Sequence, residues 1–237
     1  MQASELFNQP NTILLDGGMG TMLQAAGMKL GTRPEDLNIE NPELIRSIHA
    51  KYAAAGSRVV NANTFGASPH KLADSKYTLE EVITAGIANC KQAVAPYGAL
   101  VTLDVGPLGE LLEPSGTLAF EDAVAEYGRI VRAGVAAGAD ILYFETFTDL
   151  YEMKAALLAA KENSTLPIMA SMSFEANGRT FTGCTVESFA ATARGLGANA
   201  VGINCSLGPK EIFPMAKRLA EAVPGDFPVF VKPNAGL

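Results

Sequence analysis

Cysteine is scarce in this sequence, as are long apolar runs. Three cysteines in 237 residues are too few and too scattered for a disulfide framework. No apolar run reaches the roughly 18–20 residues that a membrane-spanning helix needs. The first ten residues, MQASELFNQP, lack the basic-then-apolar pattern of a secretory signal. We therefore expect a cytoplasmic protein in a reducing compartment, with no membrane as partner.

Basic charge is also in short supply. Asp and Glu outnumber Lys and Arg by 25 to 18, which gives a net charge of −7. A nucleic-acid partner is thereby disfavoured, because such partners require a basic face. A small zwitterionic ligand remains compatible with this charge, since local backbone dipoles can outweigh it. The 48% of hydrophobic residues can form one large core, and no linker divides the chain.

Short apolar segments alternate with amphipathic ones along the chain. Most of the apolar segments lack strict alternation, as is typical of parallel strands covered on both faces. Helix-start signals lie between them, such as a capping box at Thr78 and a cap at Asn41 followed by proline. The pattern predicts seven strands, at residues 13–16, 58–63, 100–105, 141–145, 167–173, 200–205 and 228–232.

Seven strands suit either an incomplete barrel or a doubly wound sheet. Barrel enzymes collect functional groups from many strand ends at one face, whereas a doubly wound sheet concentrates them at a switch point. Here nearly every predicted strand has a polar residue at or just past its carboxyl end: Asp16, Asn63, Asp104, Glu145, Ser173, Asn204 and Asn234. The sequence thus favours an α/β fold, a TIM-type (β/α)8 barrel truncated after the seventh strand.

Two motifs follow the first two predicted strands. In the motif DGGMGT, Asp16 could pair with an ammonium group, and Gly17 and Gly18 would let the backbone approach a ligand. A tight turn with a helix-capping Asp is an equally good interpretation. In the motif NANTFG, Asn61, Asn63 and Thr64 could hold an amino-acid backbone, or they could cap the next helix.

Two further motifs end later strands. Glu145 directly follows four apolar residues, so it should lie at the mouth of the core and need a cationic partner. That partner is either a ligand or a neighbouring Lys or Arg. Cys205, in the segment GINCS, is a possible thiolate ligand for a metal, although a lone cysteine is more often a small buried hydrophobe.

These four motifs, in this order, resemble the homocysteine S-methyltransferase family. The segments that carry the resemblance are LLDGGMGTMLQ, NANTFGAS, DVGPLG, the strand ending at Glu145, GINCSLGP and KPNAGL. Within the family, PNAGL is most similar to the amino-terminal homocysteine-binding module of cobalamin-dependent methionine synthases. The resemblance implies that residues 1–237 form a homocysteine-binding barrel domain. Such a domain transfers a methyl group to the zinc-activated thiolate of homocysteine to give methionine.

The resemblance also implies a role for each motif residue. Carboxylates that match Asp16 and Glu145 hold the amino group of homocysteine. The remaining residues expected to bind or support the substrate are Gly17, Gly18, Asn61, Asn63, Thr64 and Asn204. Zn²⁺ is held by three cysteine thiolates, of which Cys205 matches the first. The other two belong to a G-G-C-C motif on the eighth strand.

The sequence departs from the family pattern because it has no adjacent cysteine pair. One thiolate does not form a zinc site. We therefore expect the chain alone to bind Zn²⁺ poorly and to be inactive. The eighth strand and the GGCC motif would come from a longer protein or a partner chain. Cobalamin would act only indirectly, as methyl donor on a corrinoid module; a folate module is another possible partner.

Two alternatives remain open. The barrel could be a non-catalytic module without zinc that binds an amino acid or docks onto a corrinoid protein. It could instead be an unrelated barrel enzyme such as an aldolase or isomerase. The second alternative is disfavoured, because no strand-end lysine precedes Lys232 and no phosphate-binding glycine loop lies near the last strands.

Overall fold

The computed structural model describes residues 3–9, 11–29 and 31–235. Six strands form one parallel sheet in sequential order, which curls into a half-barrel. The predicted fold class, a TIM-type barrel short of closure, is confirmed. The strands are β1 (Val59–Asn61), β2 (Leu100–Val105), β3 (Ile141–Phe147), β4 (Ile168–Met172), β5 (Ala200–Asn204) and β6 (Val229–Lys232).

The first of the seven predicted strands, residues 13–16, is reduced to a single parallel bridge between Leu15 and Val59. Two backbone hydrogen bonds flank that bridge, from Asp16 N to Val59 O at 3.2 Å and from Arg58 N to Leu14 O at 2.9 Å. Within the part of the chain that the structure describes, no pairing joins β6 to this segment. Residues 13–16 are therefore held from one side only, which explains why they do not form a longer strand.

Helices surround the sheet, and most of them cover its outer face, whereas Leu6 of the first helix belongs to the apolar cluster inside the barrel. They are α1 (Ala3–Leu6), α2 (Met19–Ala25), α3 (Leu37–Glu40), α4 (Pro42–Ala54), α5 (Leu79–Val94), α6 (Phe120–Ala136), α7 (Leu150–Asn163), α8 (Val186–Gly195) and α9 (Pro209–Glu221), with 3₁₀ turns at Pro34–Asp36 and Ala95–Tyr97. The predicted capping box of Thr78 and Glu81 is confirmed, and Asn41 caps α4 through Leu44 N. None of the described helices is long and apolar enough to cross a bilayer.

Alternate residues of each strand face opposite sides of the sheet, as the two-residue period of a strand requires. Val101, Leu103 and Leu142 belong to the large core between sheet and helices. Leu100 and Tyr143 belong to a smaller apolar cluster inside the barrel. Inward-facing positions further along the strands are polar, so the interior of the barrel changes from apolar at its base to charged at the carboxyl ends of the strands.

His49 is a buried histidine in α4, and neither of its ring nitrogens has a hydrogen-bond partner among the described residues. Burial disfavours the charged imidazolium and lowers the pKa of His49 to about 4. The unfolded chain binds this proton near the ordinary pKa of about 6.5, so stability falls as the pH decreases from there toward 4.

We expect His49→Leu to remove this acid sensitivity. At neutral pH the variant should unfold at a similar urea concentration to the parent, and by pH 4 it should be more stable than the parent by up to about 3 kcal/mol. Urea titrations at several pH values measure the difference. An unchanged dependence of stability on pH would show that His49 is not its source.

Candidate functional site

The interior of the barrel is a cavity of about 1370 Å³. Its charged end lies at the carboxyl ends of the strands, where the sequence predicts the site. Of the nine predicted site residues, eight line the cavity, and Thr64 lies behind its wall. The lining residues of that set are Asp16, Gly17, Gly18, Asn61, Asn63, Glu145, Asn204 and Cys205. Motifs that are far apart in the sequence thus converge on one rim.

Lys232 connects the two predicted carboxylates. Its Nζ lies 3.2 Å from Asp16 Oδ1 and 3.6 Å from Glu145 Oε2. It also lies over the Tyr143 ring, 5.4 Å from the ring centroid. All three charged side chains are largely shielded, with 16% of Lys232, 4% of Asp16 and 15% of Glu145 exposed. The structure therefore contains a primary ammonium group held by the two carboxylates that the sequence assigns to an ammonium ligand.

The protonation of this pair follows from burial and charge together. Burial raises the pKa of Asp16, while the Lys232 ammonium and the Asn61 N–H, which donates to Asp16 Oδ2 at 2.8 Å, partly offset the rise. Burial would lower the pKa of Lys232, but the carboxylates of Asp16, Glu145 and Asp104 outweigh it and leave the net pKa raised. Lys232 is consequently charged at neutral pH.

The Asn204 side chain organises the opposite side of the rim. Its Nδ2 donates to Thr146 Oγ1 at 2.7 Å, to Cys205 Sγ at 3.4 Å and to Glu145 Oε2 at 3.4 Å. Its Oδ1 accepts from Thr146 N at 3.0 Å and from Ser171 Oγ at 2.8 Å. A single amide therefore positions both the carboxylate and the thiol of the predicted site.

Three non-glycine residues at this rim have left-handed backbones: Thr146 with φ of 66°, Cys205 with 59° and Ser206 with 60°. Such conformations cost about 1–3 kcal/mol each and persist only where surrounding contacts impose them. Those contacts include the Thr146 bonds to Asn204 and the bond from Cys205 N to Lys232 O at 3.1 Å. The backbone after β5 is thus bent to present Cys205 at the rim.

The DGG turn is shaped by close packing against Tyr52. A Cβ atom at Gly17 would lie 2.8 Å from the Tyr52 hydroxyl oxygen, so a larger residue there would displace the Tyr52 ring. The same hydroxyl donates to Gly18 O at 3.0 Å. Gly17 and Gly18 therefore present main chain to the cavity, and the close approach of a ligand there stays a prediction.

The polar residues of the NANTFG motif form hydrogen bonds with the segments that surround the rim. Asn61 Oδ1 accepts from Thr102 Oγ1 at 2.9 Å, and Asn63 Nδ2 donates to Pro34 O at 2.7 Å. Thr64 Oγ1 donates to Asp104 O at 2.8 Å and accepts from Asp104 N at 3.1 Å. These bonds are to neighbouring segments, which differs from the helix-capping alternative. Binding of an amino acid by these residues stays a prediction.

Sequence reasoning did not assign Lys232 or Asp104 to the site. Both line the cavity, and both are inward-facing residues at a strand's carboxyl end. The signal in the sequence is the position of each residue at the end of an apolar strand. That Lys232 points to the same side of the sheet as Asn204 follows from their pairing in register, which the structure shows. The sequence marks Asp104 only as a polar residue at a strand end.

The described residues do not by themselves fit a zinc ion. No group of three or more His, Cys, Asp or Glu in the described ranges could hold a metal. Cys205 Sγ forms hydrogen bonds with the amide nitrogen of Asn204 and the hydroxyl of Thr146, at 3.4 and 3.7 Å. Zinc prefers several thiolate, imidazole or carboxylate ligands, and this donor set contains one thiol.

Comparison with known proteins agrees with this geometry. Residues 13–237 match the family model for homocysteine S-methyltransferase, and the chain belongs to that family. It is 29% identical over 240 residues to methionine synthase from Mycobacterium tuberculosis (strain ATCC 25618 / H37Rv), and 29% identical over 241 residues to methionine synthase from Mycobacterium leprae (strain TN). Each match covers 94% of this chain and 20% of the relative. The chain therefore spans about a fifth of the length of these curated relatives.

Solved structures share the fold over a larger fraction of their length. The homocysteine methyltransferase MmuM from Escherichia coli matches in its metallated form with a TM-score of 0.85 and 23% identity, covering 98% of this chain and 86% of that one. Its oxidized form matches with a TM-score of 0.87 and 25% identity, covering 98% and 85%. These structures agree with the fold, and the match to the family model confirms the predicted family resemblance.

Proposed function

We propose that this chain is the homocysteine-binding domain of a methionine-forming methyltransferase. The observation that carries the proposal is the convergence of Asp16, Glu145 and Cys205 on one rim of the barrel cavity. Carboxylates suit the ammonium group of an amino acid, and the thiol marks the end of the site that faces the substrate's sulfur.

In this proposal the substrate lies along the rim with its ammonium group toward Asp16 and Glu145. Its carboxylate faces the main chain of Gly17 and Gly18, and Asn61, Asn63 and Thr64 shape the adjacent wall. Since Asn204 contacts both Glu145 and Cys205, it sets the spacing between the two ends of the ligand. This arrangement supplies orientation, which is a large part of what a site contributes to a displacement reaction.

The thiol of free homocysteine is mostly protonated at neutral pH, with a pKa of about 8.5, although the thiolate is the nucleophile. A metal ion would supply the deprotonation. Because Cys205 supplies the thiol at the rim, whereas Cys90 and Cys184 do not line the cavity, we assign Cys205 as one zinc ligand and leave the remaining thiolates to another segment or polypeptide. A corrinoid module carrying cobalamin, or a folate module, would present the methyl group. We expect little methyl transfer by these 237 residues alone.

The lack of a metal-binding cluster among the described residues also favours a second candidate function. In that case the barrel binds an amino acid, or docks onto a corrinoid protein, without catalysis. Binding of homocysteine or methionine that persists after treatment with a chelator, in every polypeptide that contains this chain, would support it. Zinc-dependent methyl transfer by any such polypeptide would contradict it.

Calorimetric titration with homocysteine tests the proposed function. The chain should bind homocysteine, and Glu145→Gln should weaken binding at least tenfold, roughly what loss of one charge-assisted hydrogen bond costs. Glu121→Gln, at an exposed position of α6, is the matched control and should bind like the parent. Absence of binding by the parent, or equal affinity in the Glu145 variant, would refute the proposed site.

A further inference from the structure

Asp104 is a third carboxylate at the charged rim, and the four motifs did not include it. It lies on β2 with only 6% of its surface exposed, and it lines the cavity. Its Oδ1 is buried and has no hydrogen-bond partner within the described part of the chain. A buried polar atom without a partner costs free energy, so its presence in a binding cavity indicates that a ligand completes it.

The backbone around Asp104 is firmly held. Thr64 Oγ1 bonds to both its N–H and its carbonyl oxygen, at 3.1 and 2.8 Å. Asp104 also pairs in register with Tyr143, whose ring contacts the Lys232 ammonium. The backbone of Asp104 is therefore fixed by a strand and by Thr64. The unpartnered Oδ1 consequently belongs to a residue in a well-ordered strand and not to one in an irregular loop.

The charges at the rim are unbalanced. Lys232 is the cation there, and it contacts Asp16 and Glu145. With Asp104 ionised, three carboxylates would surround one ammonium group. One further cation would then make the cluster more nearly neutral, and the oxygen available to receive it belongs to Asp104.

We propose that Asp104 is a substrate-binding residue whose Oδ1 accepts a hydrogen bond from the primary ammonium group of the amino-acid ligand, which binds beside Lys232 rather than in its place. The rim is thus a site for two ammonium groups, one from the protein and one from the ligand. This inference rests on the proposed function and deepens it, because it explains how the carboxylates can serve a ligand while Lys232 already contacts two of them.

The protonation state of Asp104 predicts that ligand binding is accompanied by proton release. Burial is the main cause that raises the pKa of Asp104 well above its ordinary range; Glu145, Asp16 and Glu35 add to the rise, and Lys232 opposes it. Lys71 and Tyr143 also interact electrostatically with it. In the free protein the carboxyl therefore retains its proton to a higher pH than usual. An incoming ammonium group favours the carboxylate, so binding releases that proton to solvent.

Calorimetry in buffers of different ionisation enthalpy measures the proton release together with the affinity. The ligands are L-homocysteine and 4-sulfanylbutanoate, which has the same thiol and carboxylate but no amino group, both in metal-free buffer. In the parent chain, homocysteine should release protons on binding and its affinity should rise with pH until Asp104 is ionised. The analogue should release none.

Asp104→Asn should bind homocysteine about tenfold more weakly, without proton release, and should bind the analogue as the parent does. Glu126→Gln is the matched control, because Glu126 also has a buried unpartnered oxygen and a raised pKa but lies on α6 outside the cavity lining. It should behave like the parent. Asp104→Ser serves as a second variant if the asparagine variant does not fold.

Parent-like affinity and proton release in the Asp104 variants would overturn this inference while leaving the proposed function intact. Binding of homocysteine by the parent without any proton release would overturn it as well. If the parent does not bind homocysteine at all, the proposed function fails first and this inference fails with it.

Discussion

Replacing Lys232 by methionine is expected to lower the free energy of unfolding by about 3–5 kcal/mol. Methionine retains much of the apolar stem but removes the ammonium group between Asp16 and Glu145. Two shielded carboxylates would then repel each other without a counter-ion. Breaking a buried ion pair from one side is costly for this reason, even where replacing the whole pair would be nearly neutral.

The same substitution should change the dependence of stability on pH. In the Lys232→Met variant, the pKa of Asp16 should rise further, because its main counter-ion is gone. A carboxyl group with a raised folded-state pKa destabilises the fold when it is ionised. Stability should therefore be regained as the pH falls through that pKa. The double variant Lys232→Met/Asp16→Asn should recover much of the loss at pH 7.

Urea unfolding at pH 7 and pH 5 measures both effects. Lys91→Met is the matched control, because Lys91 pairs with Asp140 at 3.1 Å on a more exposed surface. Its loss should change stability by no more than about 1 kcal/mol. Equal stability of the Lys232 variant and the parent would mean that the ammonium group does not balance the two carboxylates.

Replacing Asn204 by alanine is expected to cost about 4 kcal/mol of stability, from several buried hydrogen bonds at roughly 1 kcal/mol each. The amide contacts Glu145, Thr146, Ser171 and Cys205 at once. Its removal also releases the left-handed backbones of Thr146 and Cys205, which those contacts help to impose. We expect the Cys205 side chain to lose its fixed position at the rim.

Urea unfolding and the rate of alkylation of Cys205 by iodoacetamide test this prediction together. Cys90 is buried and Cys184 lies elsewhere, and peptide mapping distinguishes the three sites. The variant should be less stable and its Cys205 should react at a different rate. Asn177→Ala is the control, because the Asn177 side chain makes one exposed bond, to Arg179 N. Parent-like stability and reactivity in the Asn204 variant would show that the amide is dispensable.

The motif residues could be predicted because strand position and side-chain type are both readable from sequence. Asp16, Glu145 and Cys205 each follow an apolar run, and the ends of parallel strands meet at one edge. Their convergence in the structure follows directly. Lys232 was not predicted as their partner, because a lysine at a strand end usually extends into solvent, and only the curled sheet turns it inward.

The hydrogen-bond partners of Thr64 and Asn63 could not be predicted from the sequence either. Their amide and hydroxyl groups suggested ligand binding or helix capping. In the structure they bond to Asp104 and Pro34 across 40 and 29 residues of sequence. Hydrogen bonds between distant segments depend on the path of the chain, which residue type and local spacing do not specify.

By itself, the sequence determined the alternation of strands and helices, the family, and the identity of the carboxylates and the thiol at the strand ends. These follow from local periodicity and from short motifs, which depend only on neighbouring residues. The tertiary structure decided which groups face one another. It placed the Lys232 ammonium between Asp16 and Glu145 and made Asn204 the shared contact of Glu145 and Cys205. It also left one oxygen of Asp104 without a hydrogen-bond partner among the residues that the structure describes. Those relations arise from the curvature of the sheet, which brings residues more than 200 positions apart within hydrogen-bonding distance.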